Sequence, residues 1–154
     1  MSRDFRLESF LPFRLDVVAT ELSERLSSIY GDEFGLDIPQ WRILANLAEL
    51  GAVTAQDVAR ITHSHKSTIS RAVQHLEARG LVERIVSERD KRAFRLRLTA
   101  EGCKLLQRLL PLALRFEADL VAMLTESERK ALENGLGALE RAIAARGVDP
   151  ARVR

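Results

Sequence analysis

The sequence predicts a mainly α-helical chain that contains one small β-hairpin. Its 154 residues are 46% hydrophobic and 30% charged, with only 8 glycines and 4 prolines, a composition typical of a single compact, helix-rich domain. Apolar residues recur every three or four positions along most of the chain, as they do on a buried helix face. Between Leu81 and Leu98 the apolar pattern becomes that of short strands, which indicates the hairpin.

The N-terminal part is expected to form two helices. The first should run from Leu11 to about Tyr30, because Pro12 suits a first turn and an apolar stripe continues from there. The stripe consists of Leu11, Leu15, Val18, Leu22, Leu26 and Ile29. The second helix should begin near Ile38, with Asp37 as its N-cap, and end at Gly51. Its expected apolar face consists of Trp41, Leu44, Ala45, Leu47 and Ala48.

The next two helices are predicted to form a helix-turn-helix unit. Thr54 and Asp57 have the spacing of a capping box, and the helix that they open should end near Thr62. The second helix lies in "HKSTISRAVQHLEARG", residues 65–80, where Gly80 suits the left-handed position that follows a helix. Its inner face consists of Ile69, Ala72, Val73 and Leu76.

A β-hairpin should follow, with "LVERIV" and "AFRLRL" as its strands. Phe94, Leu96 and Leu98 alternate strictly with two arginines, which is the pattern of a half-buried strand. The six residues between the two runs, "SERDKR", contain no apolar side chain and are expected to form a charged loop.

Two more helices are expected after the hairpin. Thr99 is the candidate N-cap of a leucine-rich helix, which Pro111 should kink or split because proline cannot donate a hydrogen bond to Gln107. Thr125 and Glu128 form a capping box for the last helix, and the tail after Gly147 should fray. The apolar stripe of the last helix consists of Leu132, Leu136, Leu139 and Ile143.

Several classes of protein are disfavoured by composition. No segment reaches the ~18 uncharged apolar residues of a membrane span, and "MSRDFRLESF" lacks the apolar core of a signal peptide. A single cysteine, Cys103, fits a reducing compartment, so a cytoplasmic location is expected. Because Cys103 is in step with Leu106 and Leu110, it is interpreted as a buried structural thiol.

Charge is concentrated in one part of the chain. The net charge is only +2, but residues 66–97 hold nine bases and four acids, so this segment carries +5 and the remainder −3. A basic block beside a mildly acidic remainder is typical of a protein with one face that meets a polyanion.

The second helix of the helix-turn-helix unit has an exposed face suited to DNA. Such a helix docks in the major groove, where short hydroxyl side chains let the backbone approach phosphate and arginine reads guanine. The hairpin loop would lie along the DNA backbone or in the adjacent minor groove. Either feature alone also fits an ordinary solvated surface, and it is their combination that predicts DNA binding. The residues are Lys66, Ser67, Thr68, Ser70 and Arg71 on the helix and Arg89, Lys91 and Arg92 in the loop.

The sequence also resembles the MarR family of winged-helix transcriptional regulators. "ERDKRAFRLRLTAEG" is similar to the wing motif of that family, "IPQWRILANL" to its second helix, and "HKSTISRAVQHLEARGLVER" to its recognition helix and the start of the wing. The wing motif is carried here by Asp90, Arg92, Leu96, Leu98, Thr99 and Gly102. The resemblance covers essentially the whole chain.

The resemblance implies a fold, a partner and an assembly. The fold would be mainly α with a small β-wing: a winged helix-turn-helix core at about 38–98, and dimerisation helices at about 8–30 and 99–146, in a single domain of residues 1–154. The partner would be double-stranded DNA, bound at a palindromic operator by a homodimer. The protein would act as a repressor. The stripes at both ends of the chain independently need an apolar partner.

The resemblance also implies roles for individual residues. Ser67, Thr68 and Arg71 match DNA-contacting positions, and Asp90 would pair with Arg92 to shape the wing. Many members have arginine where this chain has Lys91, and lysine cannot form the same planar fork, so Arg89 would share its task.

A small-molecule effector, an aromatic acid or aryl-CoA, would bind between the dimer helices and the winged domain. The candidate lining residues are Phe10, Phe13, Arg14 and Trp41. Core packing of Trp41 and Phe13 and solvation of Arg14 are the favoured explanation of these residues over ligand binding.

Other functions receive less support from the residues. His63 and His65 have no nearby third ligand, so no metal site is expected, and no cofactor is implied. Ser70 and His75 are five apart on a helix and project in different directions, so the chain is not expected to be an enzyme. The alternative is a winged helix that serves as a protein-interaction module without specific operator binding.

Overall fold

The computed structural model describes residues 5–86 and 94–146. Within these ranges the chain forms six α-helices and one antiparallel hairpin, which confirms the predicted mainly α class with a small β-wing. In order they are α1 (Leu11–Phe34), α2 (Ile38–Leu50), α3 (Ala55–Ile61), α4 (Lys66–Ala78), β1 (Val82–Val86), β2 (Phe94–Leu98), α5 (Ala100–Val121) and α6 (Glu126–Arg146). None of these helices is long and apolar enough to cross a membrane.

Helix α1 is longer than the sequence predicted, and its expected end at Tyr30 is wrong. The helix passes through Gly31 and ends at Phe34, where it is followed by Gly35, which has the left-handed φ of 60° that glycine tolerates. The extra turn places Phe34 beside Tyr30 in the core, where both side chains are buried. Burial of an aromatic ring outweighs the modest cost of one glycine inside a helix.

The predicted helix caps are confirmed. Asp37 accepts a hydrogen bond from the Gln40 N–H at 2.8 Å, and Thr54 accepts one from the Asp57 N–H at 3.0 Å. The Thr99 hydroxyl likewise accepts from the N–H of Gly102 at 3.0 Å. These bonds satisfy backbone donors that the first turn of a helix leaves without a partner, so they fix where each helix begins. The same arrangement joins Thr125 and Glu128 at the start of α6.

The chain divides into two compact units, residues 1–113 and 114–154. The first unit contains the hydrophobic core, to which α2 and α4 contribute most. The predicted inner face of α4 is confirmed, since all four of its residues are buried. On α2 the prediction is partly wrong, because Ile43 is fully buried while Ala48 is exposed.

The hairpin pairs β1 with β2 in antiparallel register from Val82 opposite Leu98 to Val86 opposite Phe94. An isolated bridge between Val53 and Leu96 ties the segment before α3 to the sheet. Leu96 is buried against the core, whereas Phe94 is 54% exposed because it lies at the far end of the strand. The predicted loop, residues 87–92, lies outside the described residues.

Two expectations for α5 are corrected. Pro111 was expected to kink or split the helix, and the split is wrong, because α5 continues through Pro111 to Val121; the kink stays a prediction. Pro111 and Gln107 are both exposed, so the Gln107 carbonyl that loses its partner can bond to water. Cys103 is exposed and is not a buried thiol. The buried face of α5 consists of Gly102, Leu106 and Leu109, so it shares Leu106 with the expected face but has Gly102 and Leu109 in place of Cys103 and Leu110.

Candidate nucleic-acid interface

The polar residues predicted to meet DNA lie together at the start of α4. We call this set, Lys66, Ser67, Thr68, Ser70 and Arg71, the α4 polar surface; all five residues are exposed. They lie opposite the buried face of Ile69, Ala72, Val73 and Leu76, which packs on α2 and α3. The amphipathic sequence therefore fixes which side of α4 is presented outward.

The N-terminus of α4 has the character of an anion-binding end. Its N-cap, His65, makes no side-chain capping bond within the described chain, and the first turn contains no acidic residue. The first N–H groups of α4 thus keep no capping side chain, and the helix dipole adds partial positive charge at this end. In contrast, α2, α3 and α6 begin with capping boxes. A phosphate group suits the vacant donors of α4.

The turn between α3 and α4 is held by its own hydrogen bonds. The Thr62 hydroxyl donates to the Val58 carbonyl at 2.8 Å and contacts the Ser64 hydroxyl at 3.0 Å, while the Ser64 N–H donates to the Ala59 carbonyl at 2.9 Å. His63 adopts a left-handed φ of 49° in this turn, a conformation that is uncommon for a residue with a side chain. These contacts set the angle at which α4 leaves α3.

Most bases of the charged segment that the structure describes are engaged with the protein itself. The Arg84 guanidinium donates two hydrogen bonds to the Glu77 carboxylate, at 2.8 and 3.1 Å, and Arg97 forms an ion pair with Glu83 across the hairpin. Arg95 donates to the Ala52 carbonyl. Arg79 donates to the carbonyls of Phe34 and Gly35.

Two bases differ from the rest. Lys66 and Arg71 make no side-chain hydrogen bond and no ion pair to any residue in the described ranges. Their charges are therefore available to an external anion without the loss of an internal bond. Both belong to the α4 polar surface, so the uncapped helix end and the two available cations coincide.

The predicted wing residues Arg89, Asp90, Lys91 and Arg92 lie outside the described residues. The strands that flank them end at Val86 and begin at Phe94, which are cross-strand neighbours. Their expected roles, DNA contact for the three bases and a structural pairing for Asp90, remain predictions.

A cavity of about 390 Å³ lies beside the α4 polar surface, between α3, α4 and the hairpin. Ser70 links the cavity to the α4 polar surface, and Arg84 and Phe94 lie on its hairpin side. Its lining residues are Thr54, Ala55, Gln56, Ser70, Val73, Arg84, Phe94 and Leu96. Of these residues Val73 and Leu96 are buried, whereas Gln56, Ser70 and Arg84 are exposed, so both buried apolar and exposed polar side chains line this cavity beside α4.

Of the four residues expected to line an effector site, Trp41 packs against the core and the other three are exposed. Trp41 stacks on Tyr30, with ring centroids 5.7 Å apart and planes at 23°, and packs against the core. Burial raises the pKa of the Tyr30 hydroxyl to about 12. Phe10 contacts Phe5 edge to face at 5.6 Å, and Phe10, Phe13 and Arg14 are exposed on the N-terminal side of α1.

A second cavity, of about 320 Å³, lies between α1 and α2. It is lined by Asp16, Ala19, Thr20, Ser23, Glu24, Ile38 and Arg42, and none of the four expected effector residues is among them. Sequence reasoning missed these residues because it favoured aromatic side chains. The available signal was the spacing of polar residues on α1 at 16, 20, 23 and 24, which places them on one side of a helix.

Comparisons with known proteins agree with this geometry. A family model described as the MarR family matches residues 34–93. The chain is 28% identical to the HTH-type transcriptional regulator YwoH of Bacillus subtilis, over 77% of this chain and 82% of that protein. It is 31% identical to the HTH-type transcriptional repressor IacR of Pseudomonas putida, over 70% of this chain and 64% of that protein.

A solved structure gives the same result. The chain superimposes on the crystal structure of a MarR family transcriptional regulator from Silicibacter pomeroyi with a TM-score of 0.76 and 31% identity. The match covers 88% of this chain and 91% of the other. Similarity of sequence and of fold thus extends well beyond the helix-turn-helix.

Proposed function

Because the chain belongs to the MarR family of DNA-binding transcriptional regulators, we propose that it acts as a homodimeric repressor that binds a palindromic operator and leaves it when a small molecule binds. The observation that carries this proposal is the α4 polar surface, where an uncapped helix N-terminus coincides with two cations that have no partner in the described chain. This arrangement suits a helix that enters a DNA groove.

In this proposal the residues of the α4 polar surface divide the work of DNA recognition. Lys66 and the hydroxyls of Ser67 and Thr68, in the first turn of α4, hold phosphates together with the free N–H groups of that turn. Arg71 lies one turn further along the groove, where its planar fork reads a guanine edge. The wing bases Arg89, Lys91 and Arg92 add contacts to the adjacent backbone or minor groove.

Exposed apolar side chains support the homodimer. Leu11, Leu15 and Val18 of α1 are 50%, 40% and 56% exposed although they lie on one helical stripe. In α6, no side chain among residues 126–145 is buried, and Leu132, Leu136 and Ile143 are exposed. Apolar stripes at helical spacing are stable in water only when they pack on something. A second copy of this chain offers the same stripes, and a two-fold axis would then present two copies of α4 to half-sites about one DNA turn apart.

Repression and release are supported more indirectly. One relative is named a transcriptional repressor. The cavity between α1 and α2 lies between a proposed dimerisation helix and the winged-helix core, so a ligand there would change how the two elements meet. The proposed effector is a small molecule such as an aromatic acid or its CoA thioester, and the aromatic residues Phe10, Phe13 and Trp41 with Arg14 remain the candidate contacts.

The experiment that tests the proposal measures binding of the purified chain to its own upstream intergenic DNA and to random duplex of equal length, at two salt concentrations. Tight, selective binding of two chains per duplex, footprinted on an inverted repeat, is expected. Aromatic acids and aryl-CoA thioesters are then screened for release. Salt-sensitive binding with equal affinity for both duplexes would contradict the repressor proposal and favour a protein-interaction module.

A pair of variants tests the base-reading role. Arg71→Ala should weaken selective binding by about 1–3 kcal/mol and relax the preference for operator over random duplex. Arg84→Ala removes the same unit of charge from a guanidinium that is bonded to Glu77, and it should leave the preference unchanged. An unchanged preference in Arg71→Ala would show that Arg71 does not read a base.

A further inference from the structure

Arg79 joins the end of α4 to the end of α1. Its Nη1 donates to the Gly35 carbonyl at 2.9 Å and its Nη2 to the Phe34 carbonyl at 2.7 Å. Arg79 is the residue that directly follows α4, and Gly35 directly follows α1. One guanidinium therefore bridges the C-termini of two helices that are more than forty residues apart in sequence.

The chemistry of this contact favours a defined geometry. The last carbonyls of a helix have no partner within it, and they lie at the negative end of the helix dipole. A guanidinium presents parallel N–H donors in a rigid plane, so two simultaneous bonds fix direction as well as distance. The bonds therefore constrain the angle between α1 and the end of α4, which apolar packing alone does not do because it is non-directional.

Helix α1 is attached to the winged-helix core mainly near this contact. Tyr30 and Phe34 are its buried residues, whereas every residue from Leu11 to Thr20 is exposed. Arg108 of α5 strengthens the same point, since its Nη2 lies 3.2 Å from the Glu33 carboxylate and its guanidinium lies 5.2 Å over the Phe34 ring. The direction in which α1 leaves the core is thus set over its last two turns.

We propose that Arg79 is a positioning residue that fixes the orientation of α4 relative to α1 and thereby the spacing of the two α4 helices in the dimer. This inference rests on the proposed homodimer, in which α1 contributes to the interface. Arg79 need not touch DNA for this role. Its loss frees the relative orientation of the two helices but leaves the core intact, because the Arg79 side chain is exposed and its removal opens no cavity.

The test measures the distance between the two copies of α4 directly. Gln74, on the exposed side of α4, is changed to cysteine and carries a nitroxide label, in a background where the exposed Cys103 is replaced by serine. Electron–electron double resonance then gives the distance distribution between protomers for this parent, for Arg79→Gln and for Arg84→Gln. The Arg84 variant is the matched control. It removes a guanidinium that donates two hydrogen bonds to Glu77 of α4 and, among the described residues, donates none to α1.

The expected result is a broader or shifted distribution for Arg79→Gln, with the parent distribution preserved in Arg84→Gln and the dimer fraction equal in all three. Arg79→Lys keeps the charge without the planar fork, and it should also broaden the distribution; it replaces Arg79→Gln if that variant does not fold. A distribution in both Arg79 variants that matches the parent in position and width would overturn the inference while leaving the homodimer in place. No dipolar signal in the parent would instead overturn the homodimer and this inference with it.

Discussion

Substitution of Gly102 by alanine tests how α5 is seated on the turn that follows α4. Gly102 is buried in the first turn of α5, where a Cβ atom would lie closer than 3.0 Å to the Leu81 carbonyl oxygen, 3.1 Å from the Leu81 carbonyl carbon and 3.3 Å from a methyl group of Leu98. Two of the three obstacles are backbone atoms, which cannot rotate away. The helix would have to retreat from Leu81.

The magnitude follows from two opposing terms. Forcing an extra methyl group into a well-packed site costs about 1–3 kcal/mol, and a backbone obstacle places this site at the upper end of that range. Alanine recovers at most about 1 kcal/mol of helix propensity, and less in a first turn. Gly102→Ala should therefore reduce the free energy of unfolding by about 2 kcal/mol, which corresponds to a fall in Tm of roughly 4–8 °C for a chain of this size.

Two other glycines provide controls of opposite sign. A Cβ at Gly31 in α1 would meet only the Leu36 carbonyl at an ordinary 3.6 Å, and one at Gly135 in α6 would meet nothing within 4 Å. Both alanine variants should be stabilised by about 0.5–1 kcal/mol. Urea unfolding followed by circular dichroism, at one protomer concentration, measures all three. If Gly102→Ala were as stable as Gly31→Ala, the close approach of α5 to Leu81 would be refuted.

Three further predictions concern other residues. Burial raises the pKa of Tyr30 from 10.0 to about 12, so the stability contributed by its protonated hydroxyl is complete below pH 10 and is lost as the pH rises through 12. Because Tyr30 is the single tyrosine, the absorbance of tyrosinate reports its titration. Tyr30→Phe should remove that part of the alkaline destabilisation. Because the Cys103 thiol is exposed, its rate of reaction with a thiol reagent in the native protein should be similar to the rate in the unfolded chain. Cys103→Ser should change the free energy of unfolding by no more than about 0.5 kcal/mol. Lys66→Ala should reduce the slope of log affinity for DNA against log salt by about 0.9. Arg84→Ala, with the same change in net charge, should leave that slope unaltered, and equal slopes in the two variants would contradict the assignment of Lys66 as a phosphate contact.

Local chemistry explains why the sequence predicted so much of the fold. A cap such as Thr54 with Asp57 depends only on residues three apart, so its sequence pattern directly predicts its hydrogen bonds. The strand alternation at Leu96 and the inner face of α4 likewise follow from a single period. The α4 polar surface is the complement of that face, which is why its exposure could be predicted before any tertiary contact was known.

The errors occur where a tertiary contact outweighs the local pattern. The buried face of α5 includes Gly102, and a glycine does not count as apolar in a hydrophobic pattern, so Cys103 was placed on the wrong side. Helix α1 continues past Gly31 because Phe34 is buried by residues distant in sequence. The two hydrogen bonds from Arg79 to the end of α1 correspond to no sequence pattern, since they join residues 44 and 45 positions apart.

For the basic residues, too, a count from the sequence and the contacts in the structure give different information. Nine bases between 66 and 97 assign positive charge to the whole segment, and the count correctly indicates a polyanion as partner. Yet a guanidinium such as that of Arg84 or Arg79 must first break its bonds to protein oxygen atoms before it can reach a phosphate. Lys66 and Arg71 face no such cost among the described residues. Among the described bases of this segment, the lack of an internal partner and a place in the first two turns of α4 therefore distinguish Lys66 and Arg71, which are proposed to meet DNA, from Arg79 and Arg84, which hold the fold together.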